Sequence, residues 1–444
     1  MRTKAEPLLA RTTRYALRHR RGVLALWLVL LIAGGVASTR LSPLLSNGFG
    51  VPGTDSARAA TILERHFGDR GDGEYLLVFT TRRPLDRRLR VQLQATIDRA
   101  VLRVPSAHAG PVQIAGRHVL YDTVVSQLDL ARAKTDTAHL RRAFHPPPGV
   151  RVYVTGQAAI QHDLDPVFSS DLRHGEFAIA LPAALAVLLL VLGLSAIVTL
   201  PLLFAAATIA ATLGLVFAVA HATVMATYVT NLVELIGLAL AIDYSLLVVY
   251  RFREELEHGD GVEDAVVRTM TTAGRSVVFS GATVTLGLAL LLFIPVPFVR
   301  SLGIGGFLIP LVSVAAATTL LPALLSLYGR RGSARIHLLR RRPGRVKVTG
   351  PGFWHWLARS IMRRPLLFLA GGSALLLLAA APAFALRLTP GSADGVPRTL
   401  PSVRGFDLLR AALGAGALSP TQIVIDSGRR GGVTAPAARE AISR

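Results

Sequence analysis

GLALAIDYSLLVVYRFREEL, residues 237–256, is an almost continuous apolar run that holds one acidic residue, Asp243, and ends in the charged segment opening at Arg251. A carboxylate at the centre of a membrane helix costs about 2.5–3.5 kcal/mol on insertion scales. A membrane helix would therefore be more stable without Asp243, and the commonest reason for keeping such a group is the handling of protons or ions. We interpret this run as a membrane-spanning helix that carries a functional acid.

The rest of the chain has the composition of a multi-pass membrane protein. Of its 444 residues 51% are hydrophobic, and the mean hydropathy is +0.48. A helix needs about 20 apolar residues to cross a hydrocarbon core roughly 30 Å thick. Runs of suitable length predict seven spans, at 22–38, 177–198, 201–220, 229–250, 276–294, 302–328 and 365–386.

The net charge of +22 is explained by membrane topology rather than by nucleic acid. Basic residues gather in the N-terminal segment 1–21, around the connection between the fourth and fifth spans, and in the linker 329–364. If the N-terminus is cytoplasmic, seven alternating spans place all three regions in the cytoplasm, as the positive-inside rule requires. We expect a protein of the cytoplasmic membrane that has no nucleic-acid partner.

Residues 39–176, between the first two spans, have the composition of a soluble domain, and by this topology they are extracytoplasmic. Strand-like runs at 74–80, 119–126 and 151–154 alternate with helical patterns at 56–66, 87–103 and 135–144. Such alternation predicts a small α/β domain of ferredoxin-like type. The predicted order is then a bundle of spans two to six at 177–328, the basic linker, the seventh span at 365–386 and a further domain start at 387–444.

An internal repeat appears at an offset of 346 residues. The offset places the first span on the seventh and the strand EYLLVF (74–79) on PTQIVI (420–425). It also pairs Ser56, Arg58, Leu63 and Gly68 with Ser402, Arg404, Leu409 and Gly414. Internal repeats are common in secondary transporters. We therefore expect residues 387–444 to begin a second domain that is truncated at Arg444.

Four segments carry a resemblance to a known family. They are VPGTDSARA at 51–59, TGQAAIQHDLDPVFSSDL at 155–172, the Asp243–Tyr244 segment that runs into RFREEL, and GRSVVFSGATVTLGLALLLF at 274–293. In this order and spacing the chain resembles, over essentially its whole length, the MMPL transporters of the resistance–nodulation–division (RND) superfamily.

The resemblance implies twelve spans, two extracytoplasmic porter domains, and export of lipids or other hydrophobic molecules driven by proton entry. It also implies Asp–Tyr pairs on the fourth and tenth spans, of which Asp243 and Tyr244 match the first. The chain would then be the N-terminal part of an exporter, with membrane lipids, a hydrophobic substrate and protons as partners. A C-terminal half, a second subunit or a homo-oligomer stays open as the partner protein. The alternatives are a lipid-binding sensor or scaffold that does not transport, and an inactive truncated fragment.

The candidate site consists of a proton relay and a neighbouring polar stripe. Asp243 is the predicted proton carrier, against the alternative of a structural carboxyl paired with another helix. Tyr244 points about 100° away from Asp243 around the helix, so it is better placed to meet a group on another helix. Ser276, Ser280 and Thr283 recur on one face of the fifth span, either as a proton path or as a surface for close helix packing.

Several other classes of function find no support in the sequence. The chain has no cysteine, which excludes disulfides and thiolate chemistry. It shows no P-loop, no metal-ligand spacing and no nucleophile–base pattern. We therefore predict a protein that is not an enzyme and that uses neither a cofactor nor a metal.

Overall fold

The computed structural model describes residues 8–46, 51–67, 73–173, 178, 181–259, 261–333, 353–385, 396–414 and 424. These residues fall into two compact units, one with the described residues from 8 to 333 and from 398 onward, the other with 353–385 and 396–397. In the first unit the α-helices are α1 Leu8–Arg18, α2 Arg20–Thr39, α3 Asp55–Phe67, α4 Arg87–Val101, α5 Leu130–Ala143, α6 Gln157–Arg173, α7 Leu181–Leu192, α8 Thr199–Ala220, α9 Tyr228–Glu257, α10 Val262–Ala289 and α11 Pro297–Ser333. The strands are β1 Glu74–Thr81, β2 His108–Ala109, β3 Gln113–Gly116, β4 Val119–Val125 and β5 Val150–Thr155.

The second unit contributes α12 Phe353–Arg363 and α13 Pro365–Ala380, and α14 Pro401–Leu413 belongs to the first unit again. Pro365 begins α13, as proline commonly begins a helix because its missing N–H would have no partner there. Together with a short 3₁₀ segment, α13 extends to Ala385 and is long and apolar enough to cross a membrane.

Within the described residues, six helical segments are long and apolar enough to span a membrane, not the seven predicted. The described part of the second predicted span, 177–198, contains the 12-residue helix α7, and residues 177, 179 and 180 of that span lie outside the described residues. Gly193, with a φ of 71°, ends α7 in the left-handed conformation that glycine adopts most readily. The fourth and fifth spans instead extend beyond their apolar runs, because hydropathy marks only the part of a helix that lies in lipid.

Close packing in the membrane bundle depends on small residues. A Cβ atom added to Gly34 of α2 would lie 1.9 Å from the backbone oxygen of Ala210 on α8. Gly214 of α8 faces the Cα atom of Gly34, so the two helices meet backbone to backbone. Such close contact lets van der Waals attraction hold helices together where lipid offers no hydrophobic driving force. The Trp27 indole N–H also donates to the Thr319 hydroxyl at 3.0 Å, which ties α2 to α11.

The domain predicted at 39–176, which the family resemblance implies is a porter domain, contains one antiparallel sheet in the order β2–β4–β1–β5, with β3 paired to β4. We keep the name porter domain for the part of it at 73–173. Alternate residues of the strands, such as Leu77, Phe79 and Leu120, are buried in a core shared with α4 and α5. Asp86 and Asp129 cap these two helices through backbone N–H groups. The three predicted strands occur as β1, β4 and β5, and the predicted helix at 135–144 begins earlier, at Leu130, because of its cap.

The second repeat contributes a helix to the first repeat's sheet. Helices α3 and α14 have 13 residues each and are offset by 346 residues, in agreement with the predicted repeat. Their surroundings differ, since α3 is mostly exposed while α14 packs on the strands and on α6. Gly405 of α14 approaches Tyr153 so closely that a Cβ atom would lie 2.8 Å from the tyrosine Cβ. The predicted repeat strand at 420–425 falls outside the described residues except for position 424.

Candidate functional site

The predicted proton carrier lies near the middle of α9. This helix has 30 residues, which corresponds to about 45 Å at 1.5 Å per residue and exceeds a hydrocarbon core of roughly 30 Å. Asp243 is therefore far from both ends of the helix. Its side chain is exposed, whereas the next residue, Tyr244, is 3% exposed. The two residues thus lie on different sides of α9, as the helical angle predicts.

Tyr244 faces α10. Its hydroxyl oxygen lies 3.2 Å from the position that a Cβ atom of Gly281 would occupy, and Ser280 is beside it. The hydroxyl is buried and makes no hydrogen bond of good geometry. Leaving a buried polar group without a well-aligned hydrogen-bond partner is energetically costly.

The polar stripe of α10 is open. Ser276, Ser280 and Thr283 are all exposed, while the opposite face, with Val277, Gly281 and Thr285, is buried in the bundle. Thr283 donates its hydroxyl proton to the carbonyl of Phe279 in its own helix. Among the described residues the stripe is thus not an interface between packed helices. The structure places Ser280 near Tyr244, but Asp243 does not contact the described residues of the stripe.

The geometry leaves a carboxylate and several hydroxyls open on two adjacent membrane helices. Such groups can bind and pass protons, or they can bond to polar groups on a further helix. In the part of the chain that the structure describes, no cluster of three or more histidine or acidic residues could hold a metal ion.

Comparison with known proteins places this arrangement in a family. The family model described as "MMPL family" matches residues 119–368, which include α9, α10 and the second half of the porter domain, from β4 to α6. The chain belongs to the MMPL family. The MMPL proteins form part of the RND transporters, so the predicted resemblance is confirmed.

Individual MMPL relatives cover the chain almost completely. The "Mycolic acid-containing lipids exporter MmpL11" of Mycolicibacterium smegmatis is 32% identical over 96% of this chain and 46% of its own length. The "Heme uptake protein MmpL11" of Mycobacterium tuberculosis is also 32% identical, over 96% of this chain and 45% of its own. The "Probable trehalose monomycolate exporter MmpL3" of Mycobacterium leprae is 36% identical over 50% of this chain and 25% of its own. The chain spans about half the length of the curated relatives it matches.

This MMPL chain also holds a buried polar cluster that sequence reasoning did not identify. Asp163 on α6 accepts two hydrogen bonds from the Arg141 guanidinium, at 2.5 and 2.8 Å, and one from the backbone N–H of Ser402 at 3.0 Å. Burial alone would raise the pKa of Asp163, but the bonds from Arg141 and Ser402 outweigh it and hold that pKa below its usual value. Asp163 therefore joins α5, α6 and the first turn of α14.

A second pair, in which Lys134 is buried and Asp165 is half-buried, lies on the other side of α6. The Lys134 ammonium contacts Asp165 at 2.8 Å and donates to the backbone oxygens of Ser42 and Leu45, at 3.2 and 2.8 Å. Lys134 is 3% exposed and thereby fixes the segment that follows α2 to the porter domain of this MMPL protein. Residues two apart on a helix point about 200° apart, which is why Asp163 and Asp165 have different partners.

From the sequence, the two acids of these pairs could be identified as candidates, but their partners could not. Both acids lie in the segment 155–172 that carries the family resemblance, and their close spacing marks them as candidates. Ser402 is 239 residues away from Asp163 and is bound through its backbone N–H, so its residue type gives no signal.

Proposed function

We propose that this chain is part of an exporter that moves lipids or other hydrophobic molecules across the cytoplasmic membrane at the expense of the proton-motive force. Membership of the MMPL family supports transport of this kind, and two of the relatives described above are named as lipid exporters. The cytoplasmic N-terminus and the extracytoplasmic porter domain belong to the same proposal, supported by the distribution of basic residues.

The single observation that carries the proposal is the exposed carboxyl of Asp243 in the middle of a membrane helix. Because a charge facing lipid at this depth is strongly unfavourable, the carboxyl requires either a proton or a polar partner. We propose that it alternates between these two states, loading a proton from one side and releasing it to the other. Each charge that crosses 100 mV supplies about 2.3 kcal/mol, which is enough to bias a conformational equilibrium.

Tyr244 and the stripe on α10 connect the carboxyl to the rest of the bundle. Because the Tyr244 hydroxyl faces Ser280, a change of charge at Asp243 alters the field at a group that contacts α10. The exposed surfaces of α9 and α10, with Ser276 and Thr283, would be covered by helices of a C-terminal half or of a second subunit. Protons would then pass along these hydroxyls in a water-filled path.

The porter domain would receive the motion through α6. This helix ends at Arg173, ahead of α7, and its acids Asp163 and Asp165 hold α5, α14 and the segment after α2. We propose that this domain is ferredoxin-like. The strand order β2–β4–β1–β5 supports the proposal, because the first long strand, β1, lies in the interior of the sheet between β4 and β5. The substrate would be a hydrophobic molecule taken up at the outer leaflet.

The experiment replaces Asp243 with Asn in the full-length transporter, reconstituted in proteoliposomes with an imposed pH gradient. Asn keeps the size of the side chain but cannot carry a proton, so gradient-driven lipid export should fall to the level of empty vesicles. The matched control is Leu247→Asn, which places the same amide one helical turn away on the exposed side of α9. This control should retain export, since it adds polarity without removing the acid.

Two outcomes would contradict the proposal. Normal gradient-dependent export by Asp243→Asn would show that the carboxyl is structural. The unmodified protein could also bind lipid and yet show no lipid flux with a pH gradient of either direction. That result would favour the alternative of a lipid-binding sensor or scaffold.

A further inference from the structure

A pocket lies between helix α1 and the membrane helix α10. Its volume is about 530 Å³, which is within the range of about 300–1,000 Å³ typical of ligand pockets. It is lined by one residue of α1 and five of α10, namely Leu9, Arg275, Ser276, Val278, Phe279 and Ala282. Apart from one guanidinium and one hydroxyl, these side chains are apolar. The pocket therefore combines a single cation with a surface that accepts hydrocarbon.

Arg275 lies at the level where a membrane helix meets the lipid headgroups. It directly precedes the apolar run 276–294, and one helical turn further along α10 Phe279 is 77% exposed. An arginine at such a border keeps its charged end among headgroups while its neighbours face acyl chains. Arg275 is exposed and forms no ion pair with any of the described residues. Its guanidinium donors are thus available to an anion outside the protein.

The pocket uses a different face of α10 from the polar stripe. Arg275, Phe279 and Ala282 are three or four residues apart and so share one face of the helix. With 3.6 residues per turn, this face is centred about 100° away from the polar stripe, and Ser276 lies at the border between the two. The helices proposed to cover the stripe can therefore leave the pocket open.

Helix α1 extends the basic surface beside the pocket. Its buried face packs on α10 and α11. The outer face of α1 is formed by four exposed residues at intervals of three or four, Leu8, Arg11, Tyr15 and Arg18. Arginine beside leucine and tyrosine is typical of helices at an anionic membrane surface, because the apolar side chains enter the lipid and the guanidinium groups bind phosphates.

The second repeat contains a helix of the same kind. Helix α12 has 11 residues, as α1 has, and precedes the seventh predicted span as α1 precedes the first. An offset of 345 residues pairs Arg14 and Arg18 with Arg359 and Arg363. A basic helix ahead of a span thus occurs twice in the chain, which favours a role that is common to both repeats.

We propose that the pocket between α1 and α10 binds an anionic phospholipid of the cytoplasmic leaflet, with the phosphate at Arg275 and an acyl chain along Phe279 and Ala282. The outer face of α1 contacts neighbouring headgroups of the same charge. This lipid is a bound component that holds α1 against the bundle, and it is not the exported substrate. Only the choice of leaflet rests on the proposed function, through its cytoplasmic N-terminus.

The test uses the full chain in nanodiscs that contain equal amounts of dioleoyl phosphatidylglycerol and dioleoyl phosphatidylcholine. Native mass spectrometry counts the molecules of each lipid that stay bound after the disc is removed. Both lipids have a phosphate and the same chains, so their retention compares the net charge of the headgroup. We expect phosphatidylglycerol to be retained about fivefold over phosphatidylcholine, the factor that one basic residue contributes at an anionic membrane surface.

Two variants with matched controls locate the binding. Arg275→Gln removes the cation and should reduce the preference to below about twofold, while Arg300→Gln, at an exposed arginine of α11 outside the pocket, should retain it. Ala282→Trp fills the pocket and should lower the retention of phosphatidylglycerol, whereas Leu235→Trp, on an exposed part of α9, should not. Because Arg275 is exposed, Arg275→Gln leaves the packing unchanged and keeps the test valid if Ala282→Trp does not fold.

Equal retention of the two lipids by the unmodified chain, or an unchanged preference in Arg275→Gln, would overturn the proposal. An equal loss of preference in Arg300→Gln would also overturn it, because selection would then follow the net charge of the protein rather than the pocket.

This proposal and the proposed function fail separately. Asp243→Asn should leave the lipid preference intact. An unmodified protein that retains phosphatidylglycerol but exports no lipid contradicts the proposed function alone. An unmodified protein that exports lipid but shows no preference contradicts the anionic lipid site alone.

Discussion

Replacing Asp163 with Leu should release α14 from the porter domain. Leucine has the branched shape and the number of side-chain heavy atoms of aspartate, although its two methyl groups are larger than the carboxylate oxygens, and it accepts no hydrogen bond. The substitution therefore removes the two bonds from Arg141 and the bond from the Ser402 N–H together. The guanidinium and the N–H group are then left without these partners. Asp163 is nearly buried, with a side-chain exposure of 7%, and Arg141 is only partly solvated at 25%.

The expected loss follows from this burial. Removing one partner of a fully buried ion pair costs about 3–5 kcal/mol, and the partial exposure of Arg141 reduces that cost. The Ser402 N–H, in a residue that is fully buried, adds about 1–3 kcal/mol as an unsatisfied donor. Part of this free-energy cost reduces the stability of the porter domain as a whole, and part weakens the packing of α14 on it. We expect the docking of α14 to lose about 2 kcal/mol, which corresponds to roughly thirtyfold in its opening equilibrium.

Hydrogen exchange of the amides in α14 measures this opening directly. Helix α3 provides an internal control, since it has the same length and is mostly exposed in either variant. Asp98→Leu provides a control variant, because Asp98 is an exposed acid of the same domain whose partner is Gln94. We expect faster exchange in α14 for Asp163→Leu only.

An increase of less than about threefold in a chain that stays folded would refute this reasoning, since it would mean a loss below about 0.7 kcal/mol. Equal acceleration in α3 and α14 would also refute it, because the effect would then be global rather than local to the docked helix.

Two further predictions concern a buried acid and a helix crossing. Burial, with a smaller contribution from Asp98, raises the pKa of Asp122 to about 6 from its ordinary 3.8. Because the pKa of Asp122 is higher in the folded state, the stability linked to this group is fully present below about pH 4 and is lost as the pH rises through 6. The loss amounts to about 2–3 kcal/mol. Asp122→Asn should remove this pH-dependent loss, as measured by thermal unfolding at several pH values. Gly34→Ala should destabilise the bundle by about 1–3 kcal/mol because of the clash with Ala210, as measured by unfolding of the protein in denaturing detergent. Gly35→Ala, whose added Cβ meets nothing within 4 Å, should be neutral in that assay.

The spans could be predicted because hydropathy is a local property. A run of about 20 apolar residues is stable only in lipid, whatever the rest of the chain does, so the first, third, fourth, fifth, sixth and seventh predicted spans have their helices. Of the second, the described residues contain α7, which ends at Leu192 before Gly193 with its positive φ. Hydropathy contains no information about such a backbone event.

The candidate site was only partly predictable, because the sequence pattern is local whereas the packing of one helix on another is not. A lone acid in an apolar run identifies Asp243, and the helical angle identifies Tyr244 as facing elsewhere. Nothing in the spacing of Ser276, Ser280 and Thr283 says whether that face packs on another helix or stays open, and among the described residues it stays open.

By itself the sequence determined the membrane class, the internal repeat and the intramembrane acid, because each depends on residues that are close along the chain or on an unbroken offset. Tertiary structure alone decided that α14 packs on the first repeat's sheet while α3 stays exposed, and that Asp163 and Asp165 have their partners on opposite sides of α6. These features depend on contacts between residues as far apart as Asp163 and Ser402. Such contacts form only when burial, charge and backbone hydrogen bonding are satisfied together in the folded chain.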